Sequence, residues 1–263
     1  MNLNQDILKE SLAGKTIGDP LYYYEAIDST NDEAFRLGMK GSPEGTALIA
    51  ESQSAGKGRM QRVWHSPPGA NVYTSVILRP SFETARAPQI SIAAGVAVAE
   101  TLDTYCPGGV RLKWPNDVLI GGKKVCGILA QMKMSGGNID FVVVGIGINV
   151  NLRCDQFPDD IQGLATSLAI GAGHEISRPA LINSLYENLA KWYKTLSDNG
   201  FETVRKAWLH LTPMMGQTVQ VMFRDEALCG RAVGLDEDGS LILATDDHKE
   251  IRVSAGDATI IKR

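Results

Sequence analysis

Residues 53–64 read Q-S-A-G-K-G-R-M-Q-R-V-W, a run that alternates glycine with fixed positive charge. Gly56 and Gly58 let a backbone approach a ligand closely and leave amide N–H groups free. Lys57, Arg59 and Arg62 offer cations to phosphate or carboxylate. Taken alone, such a run also describes a solvated basic loop. A second unusual segment weighs against that bland reading: Lys113-Trp114-Pro115-Asn116-Asp117, followed by two short apolar runs joined at Gly121-Gly122. A two-residue Gly-Gly connection is a strong hairpin signal. Simple pairing across it sets Ile120 opposite Lys123, Leu119 opposite Lys124 and Asp117 opposite Cys126. Asp117 and Lys124 then share one face as diagonal neighbours. A carboxylate and an ammonium placed so can serve a metal and an anion, or form an ordinary cross-strand ion pair; both readings stay open. Pro115 has no N–H to give to a central strand, so this segment breaks the pairing or turns just ahead of the hairpin.

Gly145-Ile146-Gly147-Ile148-Asn149 ends a very apolar run, where two glycines suit close approach of a flat or extended ligand to a sheet. It lacks the third glycine and following helix of a dinucleotide fingerprint, and Gly56-Lys57 lacks the spacing of a P-loop. His65, His174, His210 and His248 are scattered, and no nucleophile stands beside a base, so covalent catalysis by Ser or Cys has little support. Cys106, Cys126, Cys154 and Cys229 form no C-x-x-C pair and read as buried small hydrophobes of a reducing compartment.

These groups need a scaffold, and 263 residues suffice for a large domain and a small one. With 44% hydrophobic and 21% charged residues the chain is globular, and a net charge of −4 speaks against general affinity for nucleic acid. No signal peptide or bilayer-length apolar run is evident, so no membrane and a cytoplasmic location are expected. Strands are expected at residues 21–26, 46–50, 71–78, 118–120, 123–129 and 141–148. Ser29 or Thr30 caps a helix that follows. Residues 90–102, 180–196 and 201–209 have helical spacing. From about Thr212 only short strands remain, at 218–223, 227–235, 241–244 and 250–253, with turns at Arg224-Asp225 and Asp238-Gly239. The expected fold is α/β (α+β): a mixed, mostly antiparallel sheet with packed helices over residues 1–212, then a small SH3-like β-barrel over residues 213–263.

At this point the sequence resembles the biotin protein ligases of the short class, which lack an N-terminal DNA-binding domain. The resemblance rests on D-S-T-N at residues 28–31, Gln53 with G-K-G-R-M-Q-R-V-W, K-W-P-N-D, K-V-C-G-I-L at 124–129, G-I-G-I-N and a C-terminal G-D-A-T-I-I-K, all in order. It implies a catalytic fold like that of class II aminoacyl-tRNA synthetases. It further implies that ATP with Mg2+ activates the substrate biotin as biotinyl-5′-AMP. A lysine of a biotin carboxyl carrier protein then takes the biotinyl group.

In residue terms the resemblance implies that Ser29, Thr30 and Gln53 hold the ureido head of biotin, with Asn31 also at the biotin site. Backbone groups around Gly56, Lys57 and Gly58 help, Gly145 and Gly147 flank the tail, and Trp64 and Gly127 also belong to the biotin site. Arg59 and Lys124 hold the biotin carboxylate and the ATP α-phosphate, and with Lys113 are the expected catalytic cations. Arg62, Lys113, Asn116, Asn149 and Lys262 meet the nucleotide, and Asp117 meets the metal. The family pattern G-R-G-R-x-G-R is not kept throughout: Lys57 replaces the first arginine and Gln61 the later glycine, a conformationally permissive residue. The R-x-x-G-G-G run of lipoate ligases and octanoyltransferases, which share the fold, is missing. No DNA partner is expected. For an exposed sheet edge, a homodimer and docking of the carrier domain stay open.

Overall fold

The computed structural model describes residues 3–223, 226–245 and 249–261; the Arg224-Asp225 turn, His248 and Lys262 lie outside the described residues. The first two-thirds of the chain contains α1 (Gln5–Leu12), β1 (Leu21–Tyr24), α2 (Thr30–Met39), β2 (Ala47–Ala50), β3 (Val72–Leu78), α3 (Pro88–Asp103), β4 (Val110–Lys113), β5 (Asp117–Ile120), β6 (Lys123–Ser135) and β7 (Asn138–Ile148). There follow α4 (Leu168–Ala172), α5 (Arg178–Asn199), α6 (Phe201–Leu211), β8 (Thr218–Phe223), β9 (Glu226–Leu235), β10 (Leu241–Ala244), β11 (Glu250–Val253) and β12 (Asp257–Ile260).

A seven-stranded sheet runs β1-β2-β3-β7-β6-β5-β4; only the β1–β2 pair is parallel. The mixed, largely antiparallel sheet is therefore present as the sequence suggested. A five-stranded antiparallel sheet, β11-β10-β9-β8-β12, forms the expected small β unit.

Local signals account for the elements. Ser29, extended at φ −155°, caps α2 by accepting from the Asp32 N–H at 3.4 Å, and Asp32 and Glu33 favour its first turn. This settles the cap on Ser29 and leaves Thr30 as the first helical residue. Helix α3 starts at Pro88, is small and apolar nearly all round, and is buried between the sheet and α5. Leu181, Leu185, Leu189 and Leu196 of α5 face the same core, in which Val219, Val221 and Leu243 of the second sheet also take part. Trp114 ties the two sheets together: its buried indole donates to the Gly239 carbonyl at 3.1 Å. Pro115 lies in the turn joining edge strand β4 to β5, so its missing N–H costs the sheet nothing.

The structure adds four elements to the sequence reading: α1, β4, α4 and β12. It also corrects the hairpin. Ile120 pairs with Lys123 and Leu119 with Lys124, as simple pairing gives. A register shift then sets Val118 opposite Cys126 and Asp117 opposite Gly127, not Cys126. The extra residue is a bulge that buries the consecutive apolar pair Val125 and Cys126. Cysteine burial is half as expected: Cys106 and Cys126 are buried, Cys154 and Cys229 exposed.

Candidate active site

One cleft, about 410 Å³ in volume, opens where the ends of β5, β6 and β7 meet the glycine-basic loop. That volume suits a small-molecule site. Every candidate from the sequence that is described lines it except Gly56, and the motifs that lie far apart in the chain meet there.

The loop is a small hairpin of its own. Trp64 N–H donates to the Gly56 carbonyl at 2.9 Å and Gly58 N–H to the Arg62 carbonyl at 2.7 Å. At its tip Met60 and Gln61 take φ 54° and 60°. That left-handed conformation favours glycine, so Gln61 stands in strain where a glycine would not. Gly56 lies beneath the loop, where a Cβ would come within 2.6 Å of Ser66 Oγ. Lys57 Nζ pairs with Asp32 Oδ2 at 2.7 Å and so ties the loop to α2.

The loop returns a tryptophan onto the sheet. A Cβ on Gly147 would lie 2.5 Å from the Trp64 indole, and one on Gly127 would lie 2.9 Å from it. In this structure the flat Trp64 indole packs directly on Gly147 and Gly127. Gly145 makes room for something else: a Cβ there would overlap Asn31 Oδ1. The Asn31 carboxamide is fully engaged, with Oδ1 2.7 Å from Ser75 Oγ and Nδ2 donating to Gln131 Oε1 at 3.0 Å. Asn31 therefore serves as a brace beneath the cleft.

Next to it is a polar nest. Thr30 donates to Gln53 Oε1 from both N (2.8 Å) and Oγ1 (3.1 Å), and Gln53 Nε2 donates to Ser66 Oγ at 3.0 Å. Glu51, which delivers the chain into this loop, accepts from the buried Arg178 at 2.7 and 3.2 Å and from the backbone N–H groups of Leu3 and Gly69. Burial works against that carboxylate, but these donors win and hold its pKa below the ordinary value.

At the other end the cleft is cationic. Lys124 Nζ lies 2.6 Å from Asp117 Oδ1, so the ion pair read from the hairpin forms. Its backbone is clamped by the segment 164–166, donating to the Leu164 carbonyl and accepting from Thr166 N–H. The Thr166 carbonyl also accepts from Asn149 Nδ2 at 3.1 Å. Arg59 Nη1 donates to Asn116 Oδ1, the Gly256 carbonyl and Asp257 Oδ1 at 3.2–3.3 Å. Burial lowers the pKa of its guanidinium, which Asp257 and Asp117 oppose. Arg62 Nη2 lies 2.6 Å from Asp257 Oδ2. Lys113 lines the cleft and forms no ion pair among the described residues. The thiol of Cys126 is buried beside this cluster, and burial pushes its pKa far up, so it is no nucleophile.

Sequence reasoning missed Asp257 and the wall formed by Phe157, Ile161, Leu164 and Ala165.

Residues 23–149 match the biotin/lipoate A/B protein ligase family, and residues 215–259 match the biotin protein ligase C-terminal domain. Over 245 residues the chain is 35% identical to the bifunctional ligase/repressor BirA of Bacillus subtilis, covering 93% of this chain and 75% of that protein. The chain belongs to the biotin protein ligase family. A biotin--[acetyl-CoA-carboxylase] ligase of Mycobacterium tuberculosis is 31% identical over 99% of this chain and 96% of its own length. Among solved structures, the Aquifex aeolicus biotin protein ligase in complex with biotin and ATP superposes with a TM-score of 0.79 at 30% identity, covering 92% of this chain and 99% of that one. As a biotin protein ligase the chain is an ATP-dependent enzyme, and its apolar strands and cationic rim form one continuous cleft. Among the described residues no helix is long and apolar enough to cross a membrane.

Proposed function

We propose that this cleft joins biotin to ATP and passes the biotinyl group to a lysine of a biotin carboxyl carrier protein. The observation that carries the reading is the meeting of an apolar, polar-tipped slot with a cationic rim in a single cavity. Biotin has a ureido head, an apolar tail and a carboxylate, in that order. The nest of Thr30 and Gln53, with Ser29 lining the cleft beside it, takes the head. The Trp64 indole, packed on Gly127 and Gly147, flanks the slot for the tail. Lys124 and Arg59 take the carboxylate.

In the first step a carboxylate oxygen of biotin attacks the α-phosphorus of ATP; a new P–O bond forms, and the bond to the β-phosphate breaks to release pyrophosphate. Two anions must meet, so the residues at the rim act chiefly by charge. Lys124 and Arg59 draw the two reacting groups together. Arg62 and Lys113 meet the β- and γ-phosphates, and Asn116 and Asn149 meet the nucleotide. In the second step the amine of the acceptor lysine attacks the acyl carbonyl, the C–N bond forms, AMP leaves with the C–O electrons, and the amine loses its proton. The loop hairpin shields the mixed anhydride from water between the steps.

Among the described residues no three His, Cys, Asp or Glu side chains gather as a metal cage. Asp117, ion-paired with Lys124, is the single carboxylate that would hold magnesium there, a metal that suits one carboxylate shared with waters and substrate phosphates. Held by Asp117, magnesium would supply positive charge at the phosphates.

We place the division between the catalytic domain and the small β unit at about Pro213. The cations turn into the cleft, which supports small anionic ligands rather than DNA as their partners. The test is incubation with ATP, magnesium and either biotin or lipoate, followed by mass spectrometry. Biotinyl-adenylate alone is expected; lipoyl-adenylate instead, or no adenylate, overturns the reading.

A further inference from the structure

Among the described residues that line the cleft, Asp257 alone comes from the C-terminal sheet. It stands at the start of β12, paired with Met222 of β8. The residue before it is built to aim it. Gly256 has φ +129°, and a Cβ there would lie 2.6 Å from the Met222 carbonyl oxygen and from Val221 Cγ1. Glycine is the residue that tolerates both the conformation and the approach. The turn delivers two acceptors at once, the Gly256 carbonyl and the Asp257 carboxylate, and both fall on Arg59 Nη1.

The Asp257 carboxylate is divided between two loop arginines. Oδ1 meets Arg59 at 3.3 Å and Oδ2 meets Arg62 at 2.6 Å. Oδ2 is buried, and its contact with Arg62 does not align as a hydrogen bond. A buried carboxylate oxygen held by charge without an aligned donor is incompletely satisfied. The pair is thus an attraction that a better-fitting anion can replace.

We propose that Asp257 is a positioning residue that holds Arg59 and Arg62 as an internal anion and yields them to the phosphates of the nucleotide. The proposal rests on the assignment of these arginines to the phosphates in the reading above. It gives the C-terminal sheet a role in the first step: it docks the loop over the cleft before ATP arrives, and it competes with pyrophosphate once that product forms. A phosphate chain offers oxygens that align with both guanidinium groups, whereas one carboxylate spans them imperfectly. Asp257 and a bound phosphate chain then repel each other, so the carboxylate favours pyrophosphate release.

The test pairs calorimetric titration with inorganic pyrophosphate and timed trypsin cleavage after Arg59 and Arg62, using the whole chain. In Asp257→Asn the ligand-free loop is expected to be cut several-fold faster. Pyrophosphate is expected to bind roughly tenfold tighter, as when one screened like charge is removed at this range. Asp257→Glu keeps the charge and is expected to restore both values toward those of the parent. Unchanged cleavage in Asp257→Asn, or unchanged or weaker pyrophosphate binding, overturns the proposal. Should Asp257→Asn fail to fold by circular dichroism, Arg62→Gln tests the same contact from an exposed side chain. Faster cleavage after Arg59 supports the proposal, and an unchanged rate overturns it. A parent chain that makes biotinyl-adenylate while these variants show no change defeats the exchange alone. A parent that makes no adenylate defeats the reading beneath it.

Discussion

Lys124 and Gly127 face the same cleft although they lie three positions apart on one strand. A Cβ on Gly127 would lie 3.1 Å from Lys124 Cε and 3.3 Å from Lys124 Nζ. Strict alternation would send them to opposite faces of the sheet. The bulge at Val125 and Cys126 resolves this, because it buries both apolar residues and returns Gly127 to the side of Lys124. The lysine, the tryptophan and the ion-paired Asp117 then converge.

This convergence makes Gly127→Ala a sharp probe. The added methyl meets both the Trp64 ring and the Lys124 side chain, one of which must shift. Misplacement of a reacting group by about 1 Å costs up to about 10²-fold in rate. The rate of biotinyl-adenylate formation is expected to fall about tenfold to a hundredfold, with thermal stability little altered. An unchanged rate would show that neither contact matters to the chemistry.

The buried pair of Arg178 and Glu51 sets a pH dependence. The pKa of Glu51 is held down in the folded chain, so its contribution is present above the ordinary carboxylate pKa. That contribution is lost as pH falls through the folded value. Glu51→Gln is expected to flatten the acid limb of the stability curve. It also removes the Glu51 carboxylate from the Arg178 guanidinium, which is 1% exposed, and is expected to lower stability at neutral pH. Denaturant melts from pH 3 to 7 measure both effects, and an equally steep acid limb in the variant would refute the assignment to Glu51.

Arg59 joins the loop to Asn116 and to the C-terminal sheet through a single Nη1. Arg59→Gly is expected to loosen the loop and let biotinyl-5′-AMP escape. Biotin incorporation into a non-cognate protein should rise severalfold beside the parent. If the variant is as selective and holds the adenylate as tightly, the loop is not the retaining lid.

Much of this site was legible because charged and glycine residues were crowded into short motifs whose spacing survives folding. The Gly121-Gly122 turn gave the near end of the hairpin correctly. What escaped notice depended on the third dimension. The bulge had a local trace, the consecutive apolar residues Val125 and Cys126, but period-two reasoning passes over it. Asp257 lies 198 residues from Arg59 in sequence, and nothing in its neighbourhood names that partner. Strand β4 carried the alternation V-R-L-K, with Val110 and Leu112 buried. Helix α1 carried an Asn4 cap with Leu8 and Leu12 one turn apart. Both were readable signals in short segments. At the glycines of the 145–149 motif the structure shows close approach by protein groups, Asn31 at Gly145 and Trp64 at Gly147, contacts that no local spacing in the sequence announces.

In the proposed reaction Lys124 and its cleft catalyse the joining of biotin to the α-phosphate of ATP. Biotin-dependent exchange of labelled pyrophosphate into ATP measures that step alone, before any acceptor protein is involved. The parent chain should support exchange with biotin and not without it. Lys124→Ala, folded by circular dichroism, should lose about 10²–10³-fold of the rate, the usual cost of removing one stabilising group from a developing charge. Exchange in the folded variant at near the parental rate, or exchange in the parent that does not need biotin, would contradict the account.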